Sequence, residues 1–464
     1  MMEKGSFVPE AGIARARGFG RLPFGFGPRF FIALLIGLVW LIPATWAAQW
    51  IAAMFIWDGL VVAIWLIDLR ALPSPRQLEI RRVWNSVPSL GVAATIQLEL
   101  LNAGRIAVRA RILDEAPSSL RLAPPALEAT VGARRSATAS YSILPAERGD
   151  AKIGRTFIRY QSAMRMAERR AIADTGQVVR VLPNIELARQ HTMFLIRSRQ
   201  VEFEKRRRRE RGLGREFDCL REYREGDEMR DIAWLATARR QKLVTRVFQI
   251  ERSQAVWLVL DAGRLLRAQV RSPGTLQYSK LDHGVNASLS LAQVALHCGD
   301  QVGLLAYGRR IQQKVNTGRG PQHIRAIVDS LAQVRGEANE ANHGLAVHTL
   351  LAAQRRRSLI VWITDFAETA TVPEVIEYAL RLTPRHLVMF AAMGQPDLTA
   401  LAQTTPDSPE EMYRHVAARE IMERRDLLLR SLRERGVLAL ELMPQMLASM
   451  LVNRYLEVKD RSLI

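Results

Sequence analysis

Between Arg29 and Arg70 runs a forty-residue stretch, FFIALLIGLVWLIPATWAAQWIAAMFIWDGLVVAIWLIDL, that is apolar almost throughout. A membrane-spanning helix needs about 20 apolar residues. The run at 30–69 is therefore too long for one span and fits two short helices, about 30–46 and 50–68, with a tight turn near Pro43 to Gln49. Trp40, Trp46 and Trp50 fall around that turn, as amphipathic rings do at a membrane interface. A secretory signal has a shorter apolar core with no second apolar run behind it, which disfavours that alternative. Arg15, Arg17, Arg21 and Arg29 precede the hairpin, and Arg70, Arg76, Arg81 and Arg82 follow it. The positive-inside bias then predicts a two-span protein of the cell (inner) membrane, with both termini and the main domains cytoplasmic. Asp58 is an ionisable residue inside the apolar run, and such a residue is a functional candidate. The plainer reading is a protonated or hydrogen-bonded side chain, either paired with Thr45 or Gln49 on the facing helix or sitting near the membrane surface.

The 464 residues suit two or three domains, with 1–29 as a basic cytoplasmic N-terminus ahead of the hairpin. Lys and Arg number 66 against 46 Asp and Glu, a net charge of +20, which predicts an anionic partner: nucleic acid, a lipid surface or an acidic protein face. Cys219 and Cys298 lie far apart with no metal-ligand spacing, as two reduced thiols in an intracellular protein do.

From about 75 to 185 the pattern turns to period two. VAATIQLELLN, RARILDEAP, ATASYSIL and KIGRTFIRY alternate between Pro, Gly and Asn clusters, which predicts short antiparallel strands in a small β-sandwich-like domain. A basic connector and a charged segment fill 186–252. Within it Lys205, Arg206, Arg207, Arg208, Arg209 and Arg211 could lie on anionic lipid, could neutralise nucleic-acid phosphates, or could simply be a solvated face. No nucleic-acid module accompanies the run, so nucleic acid is the weakest of these readings.

After Arg252, at 253–458, buried strands alternate with amphipathic helices. Strand candidates are 255–261, 301–307, 358–364, 386–392 and 437–442. Helices are expected at about 279–297, 321–334, 344–355, 373–382, 409–435 and 444–457. Several strands are continuously apolar, as parallel strands covered on both faces must be. IQQKV (311–315) reads as an antiparallel edge strand. The alternation predicts a doubly wound, mostly parallel α/β sheet with its crevice at the carboxyl ends of the strands. Asp261 and Asp365 each stand at such an end, and two acids meeting at one edge could hold a cation.

The stretch EFDCLREYREGDEMRDIAWLATARRQKLVTRVFQIERSQAVWLVLDAG closely resembles the signature of a bacterial family called domain of unknown function 58. Arg221, Glu222, Tyr223, Gly226, Asp227, Trp234, Ala238 and Arg239 match the pattern. The hairpin, the β-segment ending VLPN, the ITDF strand end and the closing LVNRYLEVK match as well. One departure is Asp231-Ile232-Ala233-Trp234, where the family has Arg-Ile-Asp-Trp, so the acid stands two positions away. The resemblance implies a von Willebrand A-like fold and a MoxR-type AAA+ ATPase as partner, which the chain would recruit to a client complex for assembly or maturation. Metal-binding von Willebrand A domains look like Asp-x-Ser-x-Ser plus a Thr and a further Asp. Here the first element reads Asp261-Ala262-Gly263-Arg264-Leu265, and the loop Glu340-Ala341-Asn342-His343-Gly344 has no Thr. Asp261 and Asp365 are then degenerate remnants. Arg264 adds positive charge at the rim, and weak Mg²⁺ binding is the lesser expectation against no cofactor at all.

No G-x-x-x-x-G-K-[ST], H-E-x-x-H or G-x-S-x-G occurs. The eight His show no ligand spacing, and the Gly-rich GFGRLPFGFG precedes a membrane helix rather than following a strand. Glu222, Asp227 and Asp231 have no accompanying nucleophile, so the expected protein is not an enzyme. Three readings follow: a membrane-anchored adaptor, a metal-dependent ligand-binding or adhesion receptor, and a membrane-localised nucleic-acid binder. For the adaptor, the segment 221–240 either braces the chain or docks the partner through Arg221, Glu222, Tyr223, Arg224, Asp227, Glu228 and Arg239, with Trp234 expected in the core. The topology has a direct test: reporters fused at the N-terminus and after Ile464 should both be active in the cytoplasm, whereas activity on opposite sides would mean an odd number of spans.

Overall fold

The computed structural model describes residues 8–20, 22–47, 49–184, 186, 216–224, 227–249, 254–270, 277–366 and 372–461. The basic run 205–211, Arg21 and Gly226 lie outside the described residues. The chain divides into two compact units, Met1–Leu182 and Pro183–Ile464.

The first unit begins with β1 (Gly12–Gly18) and β2 (Phe24–Phe26). The apolar run follows as α1 (Pro28–Gly37), a 3-10 turn (Leu38–Trp40), α2 (Leu41–Ala44) and α3 (Gln49–Ala71). The helix Gln49–Ala71 is long and apolar enough to cross a membrane, and Pro28–Ala44 is apolar but shorter. The Trp57 indole donates to the Ala33 carbonyl at 2.8 Å, and the Trp40 and Trp50 rings stack at 5.5 Å beside the turn. An ideal Cβ at Gly37 would come within 2.8 Å of Asp58 Oδ1, so the glycine makes the room for this carboxylate. The expected pairing of Asp58 with Thr45 or Gln49 does not form: its buried Oδ1 has no hydrogen-bond partner among the described residues. Thr45 turns its hydroxyl back to the Ile42 carbonyl at 2.7 Å, as hydroxyls at the end of a helical turn do.

Nine more strands complete this unit: β3 (Leu78–Trp84), β4 (Ala94–Asn102), β5 (Val108–Asp114), β6 (Ala126–Val131), β7 (Arg135–Ile143), β8 (Gly149–Ile153), β9 (Thr156–Gln161), β10 (Ala167–Ala173) and β11 (Gln177–Val181). The main sheet runs β6-β5-β9-β10-β1-β3-β4-β7, with β2 added on β10, and β8 pairs β11 separately. β1 is the switch: Gly12 to Arg15 pair with β3, and Ala16 to Gly18 pair with β10. The edges β6 and β7 are consecutive and lie against each other, so the sheet rolls into a nearly closed barrel. This corrects the sequence reading, which treats 1–29 as a tail and starts the β-domain at 75. The pattern Gly-Ile-Ala-Arg-Ala-Arg does alternate, but its inward positions are Ala14 and Ala16, too small to announce a strand.

Inside the barrel, strict alternation buries Leu78, Ile80, Ile96, Leu98, Leu100 and Ile112. One charged pair is buried with them. Arg82 and Asp114, both fully buried, meet at 2.5 Å. Arg82 also donates to the Thr175 carbonyl at 2.6 Å and the Gly154 carbonyl at 3.2 Å. Asp114 accepts from Tyr141 Oη at 2.6 Å and Thr156 Oγ1 at 2.9 Å. Burial, with Asp114 beside it, pushes the Tyr141 hydroxyl far above its usual range, so it remains a donor.

α3 is bolted to this barrel by Asp68. Its Oδ2 accepts from the Met166 and Ala167 amides at 3.1 and 2.8 Å, and its Oδ1 from Ser162 Oγ at 2.5 Å. Arg169 donates to the Leu69 carbonyl and Tyr160 to the Pro73 carbonyl. Phe26, Phe30 and Trp65 stack where α1 and α3 meet β2. Gly27 lies so close to the Arg165 carbonyl that a Cβ there would come within 2.0 Å of its oxygen.

The second unit holds β12 (Glu216–Glu222) paired antiparallel with β13 (Val244–Gln249), and then a six-stranded sheet. Its members are β14 (Ala255–Asp261), β17 (Gln301–Tyr307), β18 (Ile311–Gly318), β19 (Leu359–Thr364), β20 (Leu387–Met393) and β21 (Leu438–Leu442). A short pair, β15 (Gln269–Val270) and β16 (Tyr278–Ser279), lies beside it. The order is β18-β17-β14-β19-β20-β21, with β18 antiparallel and the other pairings parallel. One face packs Trp257, Trp362, Phe390, Leu350 and Leu432 into a core. The helix Lys280–His297 covers β14 and β17 and packs against Leu447–Asp460.

The Arg82–Asp114 pair yields a prediction for the barrel. Removing one partner of a fully buried pair costs about 3–5 kcal/mol, because the other charge is left uncompensated. Asp114→Ala in the full chain should lower hydrogen-exchange protection of β3, β5 and β9 by that amount, and a loss below about 1 kcal/mol would show the network to be dispensable.

Candidate functional site

The strand order reverses between β14 and β19, and the carboxyl ends of these two strands carry Asp261 and the Thr364–Asp365 pair. A doubly wound sheet opens its crevice at such a switch point. A cleft of about 540 Å³ lies there, lined by Arg264, Arg267, Gln269, Lys280, Asp365, Gln395 and Asp397.

Asp365 is held by two cations. Lys280 Nζ stands 2.6 Å from Oδ2 and Arg425 Nη1 2.9 Å from Oδ1, all three side chains being buried. The Phe366 amide donates to Oδ1 at 2.8 Å. Arg425 also reaches Glu441 at 2.9 Å and the carbonyls of Met393 and Phe366, and its guanidinium lies 4.7 Å above the Phe366 ring. Its place is explained by its helix, Pro409–Glu434: Arg425 shares the buried face of Leu428, Leu429 and Leu432 at helical spacing. Lys280 is the first residue of the helix Lys280–His297, which Ser279 caps with Asp282 in a reciprocal box.

Asp261 has a different environment. Its oxygens accept from Thr364 Oγ1 at 2.6 Å and the Gly263 amide at 2.7 Å. Burial pushes its carboxyl up to about 6; those two hydrogen bonds oppose the rise, and Asp365 and Glu337 add to it. Behind it Trp362 Nε1 donates to Tyr307 Oη at 2.7 Å, and that oxygen lies 2.9 Å from His343 Nδ1. Burial pushes the His343 imidazole down to about 4, so it is neutral near pH 7. Arg264 pairs with Glu340 at 3.3 Å across the rim. Chemically, an ammonium and a guanidinium neutralise Asp365 where two acids alone would attract a divalent ion. Among the described residues no group of three or more His, Cys, Asp or Glu could hold a metal ion.

The charged segment lies between β12 and β13, as the 3-10 turn Met229–Asp231 and the seven-residue helix Trp234–Arg240. Arg221 pairs with Asp227 at 2.6 Å, and Asp227 also accepts from the Arg224 amide at 3.0 Å. That amide above all holds the Asp227 carboxyl below its usual range; desolvation opposes it, and Arg221 adds to the lowering. Glu222 pairs with Lys242 at 3.3 Å, and Glu228 with Arg230. Tyr223 closes the turn through its amide to the Leu243 carbonyl at 2.9 Å. Arg224, Glu228 and Arg239 are exposed. Trp234 is not core, contrary to expectation: it is 64% exposed, with Leu235 at 76% and Met229 at 75%. The short helix buries Ile232 and Ala233 at its entry and caps Val244 through Thr237, which leaves the indole turned outward.

Residues 219–401 match the family model described as protein of unknown function DUF58. This segment is similar to that family. The curated relatives include an uncharacterized protein of Mycobacterium tuberculosis, Rv1480, and one of Mycobacterium bovis, Mb1516, each 30% identical over 162 residues. The match covers 33% of this chain and 48% of each relative, so the chain spans about half the length of the curated relatives it matches. Solved structures similar to part of it include the conserved hypothetical protein BatB of Bacteroides thetaiotaomicron, 13% identical, covering 45% of this chain and 100% of that one at a TM-score of 0.28. Proximal thread matrix protein 1 of the mussel byssus is 10% identical, covering 44% and 46% at a TM-score of 0.28. At those scores the likenesses decide nothing about the DUF58 segment.

Asp261, Asp365 and the docking candidates were readable from sequence; Lys280, Arg425 and the Tyr307–His343 contact were not. Arg425 did leave a signal, a cation on an otherwise apolar helix face. Lys280 left none.

Asp261 supplies a pH test. Its folded carboxyl titrates at about 6 and its unfolded one near 4, so the native state binds the proton more tightly. Stability from this group is therefore present below about pH 4 and is lost as pH rises through about 6, a cost of about 3 kcal/mol above it. Asp261→Asn keeps one acceptor oxygen and cannot ionise, so it loses at most one of the two hydrogen bonds at every pH and should gain in melting temperature relative to wild type as pH climbs from 4 to 7. A difference that does not change with pH would show an ordinary carboxyl.

Proposed function

We propose that the chain is a membrane-anchored, non-catalytic adaptor. It presents a von Willebrand A-like domain, the α/β unit, on the cytoplasmic side to a MoxR-type AAA+ ATPase, for assembly or maturation of a client complex. The anchor would be the two-helix hairpin, with Gln49–Ala71 as the helix long enough to span. The observation that carries the docking reading is the surface of the β12–β13 excursion. Met229, Trp234 and Leu235 are exposed together, amid Arg224, Glu228, Arg230 and Arg239. A large aromatic and arginines ringed by charge are the usual anchors of a protein interface, and a soluble domain rarely leaves such a cluster uncovered. The family pattern falls on this excursion, and the bracing alternative loses ground here, since the Arg221–Asp227 pair is partly exposed. Exposed pairs contribute only about 0–1 kcal/mol.

The receptor reading requires a cation at the switch point. The two cations on Asp365 disfavour it, since any metal would have to displace Lys280. The nucleic-acid reading rests on 205–211, outside the described residues.

The experiment is a pull-down of the MoxR-type ATPase of the same genome by the full-length chain in neutral detergent. The triple variant Arg224→Ala, Glu228→Ala, Arg239→Ala should melt almost as wild type, since exposed substitutions stay within about 0.5 kcal/mol each. It should lose most of the capture, with strong salt dependence in the wild type, and Trp234→Ala should lose capture independently of salt. Undiminished capture by both well-folded variants removes the docking surface.

A further inference from the structure

Where α1 enters the barrel, a second cleft of about 500 Å³ is lined by arginines from three places in the chain. Arg109 and Arg111 come from β5, Arg159 from β9, and Arg165 from the turn into β10. Facing them are one glutamate, Glu128, and an apolar wall of Phe26, Pro28 and Phe31. The register makes this arrangement costly. Arg111 stands directly opposite Arg159, and Arg159 directly opposite Arg170, a ladder of like charges across three neighbouring strands. Like charges so placed destabilise a sheet. Glu168, buried between them, pairs with Arg159 at 2.5 Å and Arg170 at 3.1 Å, and Glu128 takes Arg109 at 2.8 Å. The side chains of Arg111 and Arg165 form no ion pair among the described residues. Arg165 moreover sits at φ +55, a left-handed conformation that costs a non-glycine residue free energy. The arginines reach a common point: Arg109 first, then Arg111 and Arg165, lower the Glu128 carboxyl.

We propose that this cleft binds the phosphate headgroup of an anionic phospholipid, with Arg111 and Arg165 as its principal ligands. Guanidinium forks match phosphate oxygens bidentately, and Arg111 and Arg165 have no carboxylate holding theirs among the described residues. The occupant is a lipid because the apolar wall is the first turn of the apolar helix. Pro28 is its first residue, and Phe31, 54% exposed, leads from the arginines onto the helix surface. A headgroup held here therefore has its acyl chains beside α1. Basic pockets at the cytoplasmic end of membrane helices hold anionic headgroups in this way. The proposal rests on the membrane-anchor reading above. It puts the lipid contact on the barrel rather than on 205–211.

The test uses the full-length chain in neutral maltoside detergent, with binding read by native mass spectrometry and by melting temperature. Dihexanoyl phosphatidylglycerol should bind and raise the melting temperature, whereas dihexanoyl phosphatidylcholine and inorganic phosphate at equal concentration should not. Arg111→Gln with Arg165→Gln should melt unchanged or higher without lipid. It should weaken phosphatidylglycerol binding by about thirty-fold, about five-fold for each arginine near a phosphate. Equal binding of the two lipids, or an unaffected double variant, overturns the site. Inorganic phosphate reproducing the whole effect would show a small-anion site instead and overturn the lipid. Alkaline carbonate extraction of cell membranes reads the anchor alone. Release overturns the anchor, while retention together with equal lipid binding overturns only the headgroup site.

Discussion

The first unit depends on one carboxylate. Asp68 ends an apolar helix, where the last backbone carbonyls lose their intrahelical donors. Rather than facing solvent, it accepts two backbone amides and a hydroxyl from the β9–β10 turn and the start of β10. Those amides are the orphan donors of a tight turn, so a helix end and a turn satisfy one another. Hydrogen bonds to a charged group are stronger than neutral ones, about 1.5–3 kcal/mol against about 1. The direction in which the helix leaves the barrel is thereby fixed. Gly27, pressed on the Arg165 carbonyl, fixes the other helix in the same way by contact.

This constraint explains why the barrel incorporates residues from both sides of the apolar run. β1 and β2 come before the helices and β3 after them, yet β1 lies between β3 and β10. A hairpin whose two ends must return to one place is best held by making both ends part of one sheet. The same closeness of helix and sheet puts the β5 and β9 arginines beside the start of α1, which is the basis of the lipid site.

In the second unit the governing constraint is the parallel sheet. Its strands end together, so the acids at the ends of β14 and β19 are forced near one another at a buried edge. Like charges there cannot both stay ionised without help. The chain resolves this by giving Asp365 a lysine and an arginine, and leaving Asp261 to two neutral donors at a raised pKa. A buried pair with such partners is a costly device for stability alone. Its effect is a cleft whose buried acid is already neutralised from within.

Periodicity determined much of this protein. Five strands of the large sheet and the helices between them lie within a few residues of where apolar spacing puts them, because parallel strands and amphipathic helices are written in one-dimensional patterns. The apolar helices were legible for the same reason. What the sequence could not determine was anything resting on small residues or on pairings across long separations. β1 is built on alanines; the helix Pro396–Gln403 is short and weakly patterned; Trp234 reads as core by its type and is exposed because its helix is too short to bury it. Asp68 and Lys280 stand in no motif or spacing that marks them. Their roles arise from partners 85 to 99 residues away in the chain. Only the folded chain brings such groups within 3 Å, because what holds them there is the packing of whole elements and not the residues beside them.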